Sequence, residues 1–104
     1  MVIVLFRNNP RADIDQAEYE SAFVKMLELA QQMPGFVSID GYSGSDGSEL
    51  AVVRFESEET LAAWKNHPEH VEMQARAREA FYDSYHITVA TQIREYGFGP
   101  EPAV

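Results

Sequence analysis

The chain has no cysteine, which excludes disulfides, thiolate nucleophiles and thiolate metal sites together. Cations are also scarce. Eight Lys and Arg stand against seventeen Asp and Glu, a formal net charge of −9. Such a balance repels phosphate backbones and anionic headgroups, so neither nucleic acid nor a membrane surface is an expected partner. No apolar run approaches the roughly 20 residues of a spanning helix. The opening Val2-Ile3-Val4-Leu5-Phe6 is too short for one and lacks the flanks of a signal peptide, so a cytoplasmic location is the expectation. Gly44-Ser45-Asp46-Gly47 belongs to no GxGxxG or P-loop pattern and reads as turn material rather than a phosphate cradle. Serine and histidine are scattered without an elbow motif, so no Ser-His-Asp arrangement is legible.

What remains is a chain of 104 residues, 45% of them apolar, enough for one packed domain and too little for two. Val2 to Phe6 form an unbroken apolar strand that ends at Asn8-Asn9-Pro10, where proline cannot continue a ladder. From Asp15 the period changes: Tyr19, Ala22, Phe23, Met26, Leu27, Ala30 and Met33 recur at helical spacing. Asp15 with Glu18 has the form of a capping box, and Pro34-Gly35 stops the helix. Strands are expected over 36–42 and 49–55, joined as an antiparallel hairpin by the glycine-bearing turn. Ser57 caps a second helical region carrying Leu61 and Trp64, and Pro68 breaks it near Asn66-His67 and restarts it to about Ala80. A long last strand follows, with Tyr85, Ile87, Val89, Thr91 and Ile93 on one side and Tyr82, Ser84, His86, Thr88 and Ala90 on the other. The domain is expected over 1–96 and a C-terminal tail over 97–104.

The order β-α-β-β-α-β is the split, ferredoxin-like arrangement of the α+β class: one antiparallel four-stranded sheet with helices on a single face. The first strand is apolar on both sides, so the bare face is too apolar to stay in water. A second copy packed sheet against sheet, a homodimer, is the expected cover.

Four segments carry a resemblance: Pro34-Gly35-Phe36-Val37-Ser38-Ile39; Val53-Arg54-Phe55-Glu56-Ser57-Glu58-Glu59; Ala63-Trp64-Lys65-Asn66-His67-Pro68-Glu69-His70; and Phe81-Tyr82 before a strand. With them the chain resembles the antibiotic biosynthesis monooxygenase family from about Val2 to Arg94. The resemblance implies a dimeric α/β barrel with a cavity between helices and sheet. In catalytic members that cavity accepts a flat aromatic or quinol substrate and oxygenates it with molecular oxygen, without flavin, haem or metal, so no cofactor is expected. Non-catalytic members that bind a small molecule or serve a stress role on the same scaffold are the alternative. Haem-degrading relatives combine a Trp on this helix with an Asn at the end of the first strand and a His further along. Trp64 and Asn8 match, but Gln74 occupies the histidine position, which disfavours haem.

Each candidate residue has a plainer role beside the functional one. Trp64 shares the inward stripe with Leu61 and can anchor the core, touch a substrate, or both. His67 and His70 could ligate a metal from one helical face, but with no cysteine and only distant His86 as a third ligand the pair reads better as caps and first-turn residues. Their functional reading is catalytic: an imidazole beside Trp64 can take the proton of a phenol and leave a phenolate able to react with oxygen. Substrate contacts are expected from Trp64, Tyr85, Arg54 and Phe23. Arg76 and Arg78 are expected in solvated pairs with neighbouring glutamates on their own helix.

Overall fold

The computed structural model describes residues 1–100, in the order β1 (Val2–Pro10), α1 (Gln16–Gln32), β2 (Phe36–Ser43), β3 (Glu49–Phe55), α2 (Glu58–Lys65), α3 (Pro68–Ala80) and β4 (Tyr82–Thr91). The four strands form one antiparallel sheet in the order β2-β3-β1-β4, the split arrangement read from the sequence. Among the described residues no helix is long and apolar enough to cross a membrane.

Strand register sorts the side chains. Val4 pairs with Val53 and Val89, and Val2 with Phe55, so the even positions of β1 share one face with Val53 and Phe55. That face carries the core: Val2, Val4, Val53 and Phe55 pack with Leu29 and Ala30 of α1 and with Leu61 and Trp64 of α2. The opposite face is left uncovered, with three paired rows centred on Ile3, Leu5 and Arg7.

The turns form where their residues dictate. Gly35 has φ of +80°, and a Cβ there would lie 2.5 Å from Thr60, so only glycine lets α1 hand over to β2 beside the start of α2. Ser57 and Thr60 exchange bonds in a complete capping box at the head of α2. At α1 only half of the expected box forms. Asp15 accepts from the Glu18 amide, but the Glu18 carboxylate turns away to Arg76, because a guanidinium fork offers a charged, bidentate partner that the cap amide cannot match.

Two expectations for β4 need correction. The strand ends at Thr91, so Ile93 lies beyond it, and the chain continues without regular structure from Gln92. Tyr82, placed on the bare face by simple alternation, is instead half-buried on the helix side. The register slips between Asn9 and Pro10, where Asn9 pairs with Ser84 but Pro10 with Tyr82, and the extra residue inverts the parity. Residues 101–104 of the expected tail lie outside the described part of the chain.

Candidate functional site

The two helical segments after β3 cover the sheet unequally. α2 buries Leu61 and Trp64, whereas α3 buries no residue at all. Of its half-buried positions, His70, Met73, Gln74 and Ala77 follow helical spacing and face the sheet, and Ala80 closes the helix. Between that stripe and the strands lies a cavity of about 940 Å³, within the usual range for small-molecule sites. Its walls come from every layer: Val4, Phe6 and Asn8 of β1, Phe23 and Met26 of α1, Trp64 of α2, and His70 and Gln74 of α3. Phe23, Val24, Ile87 and Val89 are its most exposed large apolar lining residues and mark where it meets solvent.

Three buried side-chain atoms have no hydrogen-bond partner among the described residues: Asn8 Oδ1, Trp64 Nε1 and His70 Nδ1. All three residues line this cavity. Buried polar atoms are normally paired, and an orphan costs the desolvation of its group, about 1–3 kcal/mol. The three orphans give one apolar hollow three polar groups that a water or a ligand could pair. Asn8 is 3% exposed and Trp64 9%.

Trp64 stacks on Phe55 with ring centroids 5.4 Å apart and meets the edge of His70 at 4.3 Å. Phe55 pairs with Val2, while Asn8 stands six residues further along β1, paired with Glu49 and Tyr85. An aromatic wall lines the cavity on the side of Asn8 and Pro10, where Phe6, Tyr19, Phe81 and Tyr82 meet edge to face. The Tyr82 hydroxyl is held protonated, its pKa raised by burial and by Tyr19.

The imidazole of His70 is half-buried in the cavity lining. Burial lowers its pKa from 6.5, against the opposing pull of a hydrogen bond to the Lys65 backbone.

Of the residues singled out in the sequence, the cavity brings together Trp64, His70 and Phe23 and leaves out His67, Tyr85 and Arg54. His67 is the N-cap of α3, and its Nδ1 accepts from the Glu69 amide at 3.2 Å, so the imagined pair is split by the cap geometry that Pro68 imposes. Tyr85 lies on the helix side but behind the wall; its ring abuts Phe6 and its hydroxyl accepts from Arg78 at 3.1 Å. Arg54 is on the bare face, 3.5 Å from both Ser38 and Asp40, because its position in β3 alternates with Val53 and Phe55. Arg76, expected beside glutamates of its own helix, chiefly grips Glu18 of α1 at 2.6 and 2.9 Å. Asn8 was legible as a site residue by parity alone: it continues the inward positions Val2, Val4 and Phe6 as a polar side chain.

The sequence matches the family model for antibiotic biosynthesis monooxygenase over residues 1–76, which ends inside α3. The uncharacterized protein YqjZ of Bacillus subtilis (strain 168) is 29% identical over 77 residues, 74% of this chain and 68% of that protein. Among solved structures, Rv0793 of Mycobacterium tuberculosis superposes with a TM-score of 0.78 at 23% identity, covering 92% of this chain and 98% of the other. SnoaB, a cofactor-independent oxygenase from Streptomyces nogalater, superposes with a TM-score of 0.74 at 17% identity, covering 90% and 94%. At such identities the two structural likenesses bear on the fold.

Proposed function

The chain belongs to the antibiotic biosynthesis monooxygenase family, and from that premise we propose that it oxygenates a flat phenolic or quinol substrate with molecular oxygen, without a cofactor. The observation that carries this reading is the apolar cavity with Asn8 Oδ1, Trp64 Nε1 and His70 Nδ1 left unpaired around it among the described residues. Trp64 can only donate and so asks for a carbonyl or phenolate oxygen; Asn8 Oδ1 and the neutral imidazole accept and so ask for hydroxyl groups.

In this mechanism His70 takes the phenol proton, and Trp64 N–H steadies the phenolate oxygen that results. The electron-rich ring passes an electron to dioxygen, the two radicals join at a ring carbon, and loss of water from the peroxide leaves a carbonyl there. One oxygen atom enters the product and the other departs as water. The substrate supplies all four electrons, three from the carbon that exchanges its hydrogen for oxygen and one from the phenol carbon that becomes a ketone, so no external reductant is required. The apolar wall keeps bulk water from the peroxide.

Oxygen uptake with a panel of hydroquinones and polycyclic phenols tests the reading. Wild-type protein consumes oxygen with at least one of them, and His70→Ala, still folded, loses turnover by about 100-fold or more, in the range typical of a removed general base. Equal turnover in the variant removes the imidazole from the mechanism. A binding role without turnover has one observation in its favour, the exclusion of His67, Tyr85 and Arg54 from the lining; thermal stabilisation by the same compounds with no oxygen consumption identifies it.

We further propose that two copies pair over the bare sheet face, as its apolar rows require.

A further inference from the structure

The cavity lining is mostly apolar, and its charges are few. Among the described residues it holds two acids, Glu20 of α1 and Glu49 of β3, and one lysine, Lys65 at the end of α2. Glu49 is engaged, its carboxylate accepting from the Ser43 hydroxyl at 2.8 Å. Lys65 is not. Acids outnumber bases by seventeen to eight in this chain, yet no carboxylate among the described residues lies within ion-pair distance of Lys65. A lysine in the last turn of a helix has a plain role, facing the negative end of the helix dipole. That role accounts for a cation at this position and leaves open what the charge does to the cavity it borders.

The answer lies in its neighbours. Lys65 follows Trp64, whose Nε1 is unpaired, and the Trp64 ring meets His70, whose Nδ1 is unpaired as well. The field of the ammonium reaches this corner of the cavity. Burial is the main reason the His70 pKa lies below 6.5, but the charges of His67 and Lys65 push it the same way. A positive charge that disfavours a cation at His70 favours an anion in the same place. Neither Glu20 nor Glu49 is among the charges that act on His70. Glu49 pairs with Asn8, six residues along β1 from the Val2–Phe55 pair on which Trp64 stacks.

We propose that Lys65 is a specificity-determining residue of the cavity: with the Trp64 N–H it holds the ligand's oxygen as an anion, so that phenols acidified by a conjugated carbonyl are preferred. The inference rests on the phenol-binding reading above and deepens it by naming the acidity and ionisation state of the ligand. The indole supplies a directed hydrogen bond, and the ammonium supplies charge from a flexible four-carbon stem that can settle over a ligand once it has entered. A chain of net charge −9 repels anions as a whole, so a preference for one has to come from a cation at the site itself.

The test is methyl 6-hydroxy-2-naphthoate, a flat phenol conjugated to a carbonyl whose neutral and ionised forms absorb at different wavelengths, beside its 6-methoxy ether, which cannot ionise. The other titratable groups of the lining are Tyr19, Glu20, Glu49, His70 and Tyr82. From pH 7 to 10 His70 stays neutral and Tyr82 protonated, so the bound phenol's own ionisation is read without theirs. With the full-length chain in excess, the absorbance midpoint of the bound phenol is expected about one unit below that of the free compound, the low end for a nearby opposite charge because Lys65 is exposed. Lys65→Met returns most of that unit, about a tenfold loss of preference for the phenolate, and Lys65→Arg keeps it. All three proteins bind the methoxy ether alike. Equal midpoints in wild type and Lys65→Met overturn the proposal. So does a Lys65→Met variant that loses the ether in the same proportion as the phenolate, which makes Lys65 a support for the helix end. A wild type that binds neither compound overturns both the proposal and the reading beneath it. A lowered midpoint with no oxygen uptake sustains the role of Lys65 and overturns the oxygenation alone.

Discussion

α2 and α3 lie over the same sheet, eight and thirteen residues long, and the shorter one does more to hold the fold. α2 drives Leu61 and Trp64 into a closed stack with Phe55, Val2 and Val53. α3 presents four half-buried side chains to a hollow and is kept in place at its margins: by the His67 cap, by Arg76 gripping Glu18, and by Arg78 donating to Tyr85. Filled space fixes a fold, while unfilled space bordered by orphaned polar atoms is free to take a ligand. The contrast separates the residues that make the protein stable from those that make it useful, although Trp64 belongs to both.

The sharpest way to break that contrast is to truncate one side chain on each side of it. Phe55→Ala removes a fully buried ring from the stack and is expected to cost about 3–5 kcal/mol in urea unfolding, a large part of the usual 5–15 kcal/mol of a small domain. Met73→Ala, facing the cavity from α3, leaves no new closed void and is expected to cost about 1 kcal/mol. Equal losses at the two positions mean that α3 is packed as tightly as α2 and that the hollow closes in solution.

The fold was legible because its signals are local and agree. Apolar runs, helical spacing, Pro34-Gly35 and the break at Pro68 each specify one element, and the element order admits one familiar architecture. The site was legible only in part, because a cavity is defined by absence and no residue pattern encodes where side chains fail to meet. Trp64 and His70 could be picked out by type and position, but alternation also placed Tyr82 on the wrong face, since one irregular pairing at Asn9 and Pro10 inverts everything beyond it. His67 and His70 are three residues apart in a helical run, yet one caps α3 and the other lines the cavity. Arg54 looked available because its partners, Ser38 and Asp40, are distant in sequence and adjacent only through the hairpin register. The Arg76–Glu18 grip spans 58 residues and has no sequence signature at all.

A smaller effect separates the two helices by titration. His70 is held below its ordinary pKa of 6.5 by burial against the cavity, so the folded protein prefers the neutral imidazole more than the unfolded chain does. Above pH 6.5 both states carry it neutral and its contribution to stability is complete. As the pH falls below 6.5, the unfolded chain takes up the proton first, and stability drains until the folded pKa is reached. Melting temperatures measured from pH 7.5 down to pH 5 should therefore fall more steeply for the wild type than for His70→Gln, which keeps His67 and His86. Parallel curves place the His70 ring in water and empty the cavity of its base.

The smallest change expected in global stability comes from the grip that holds α3 to α1. Arg76 meets Glu18 through two short bonds, but both side chains are well exposed, and exposed pairs contribute little to overall unfolding. Arg76→Ala should thus leave the melting temperature nearly unchanged. Its effect should appear locally. α3 buries no side chain, so its amides from Met73 to Ala77 depend on marginal ties, and hydrogen exchange there should quicken several-fold while exchange in α2 stays as it was. Glu18→Gln should reproduce the result from the other side of the pair, and added salt should move the wild type toward both variants by screening the contact. If exchange in α3 is indifferent to all three, the helix is secured by apolar contact with a filled cavity, and the difference between the two helices is one of occupancy rather than of packing.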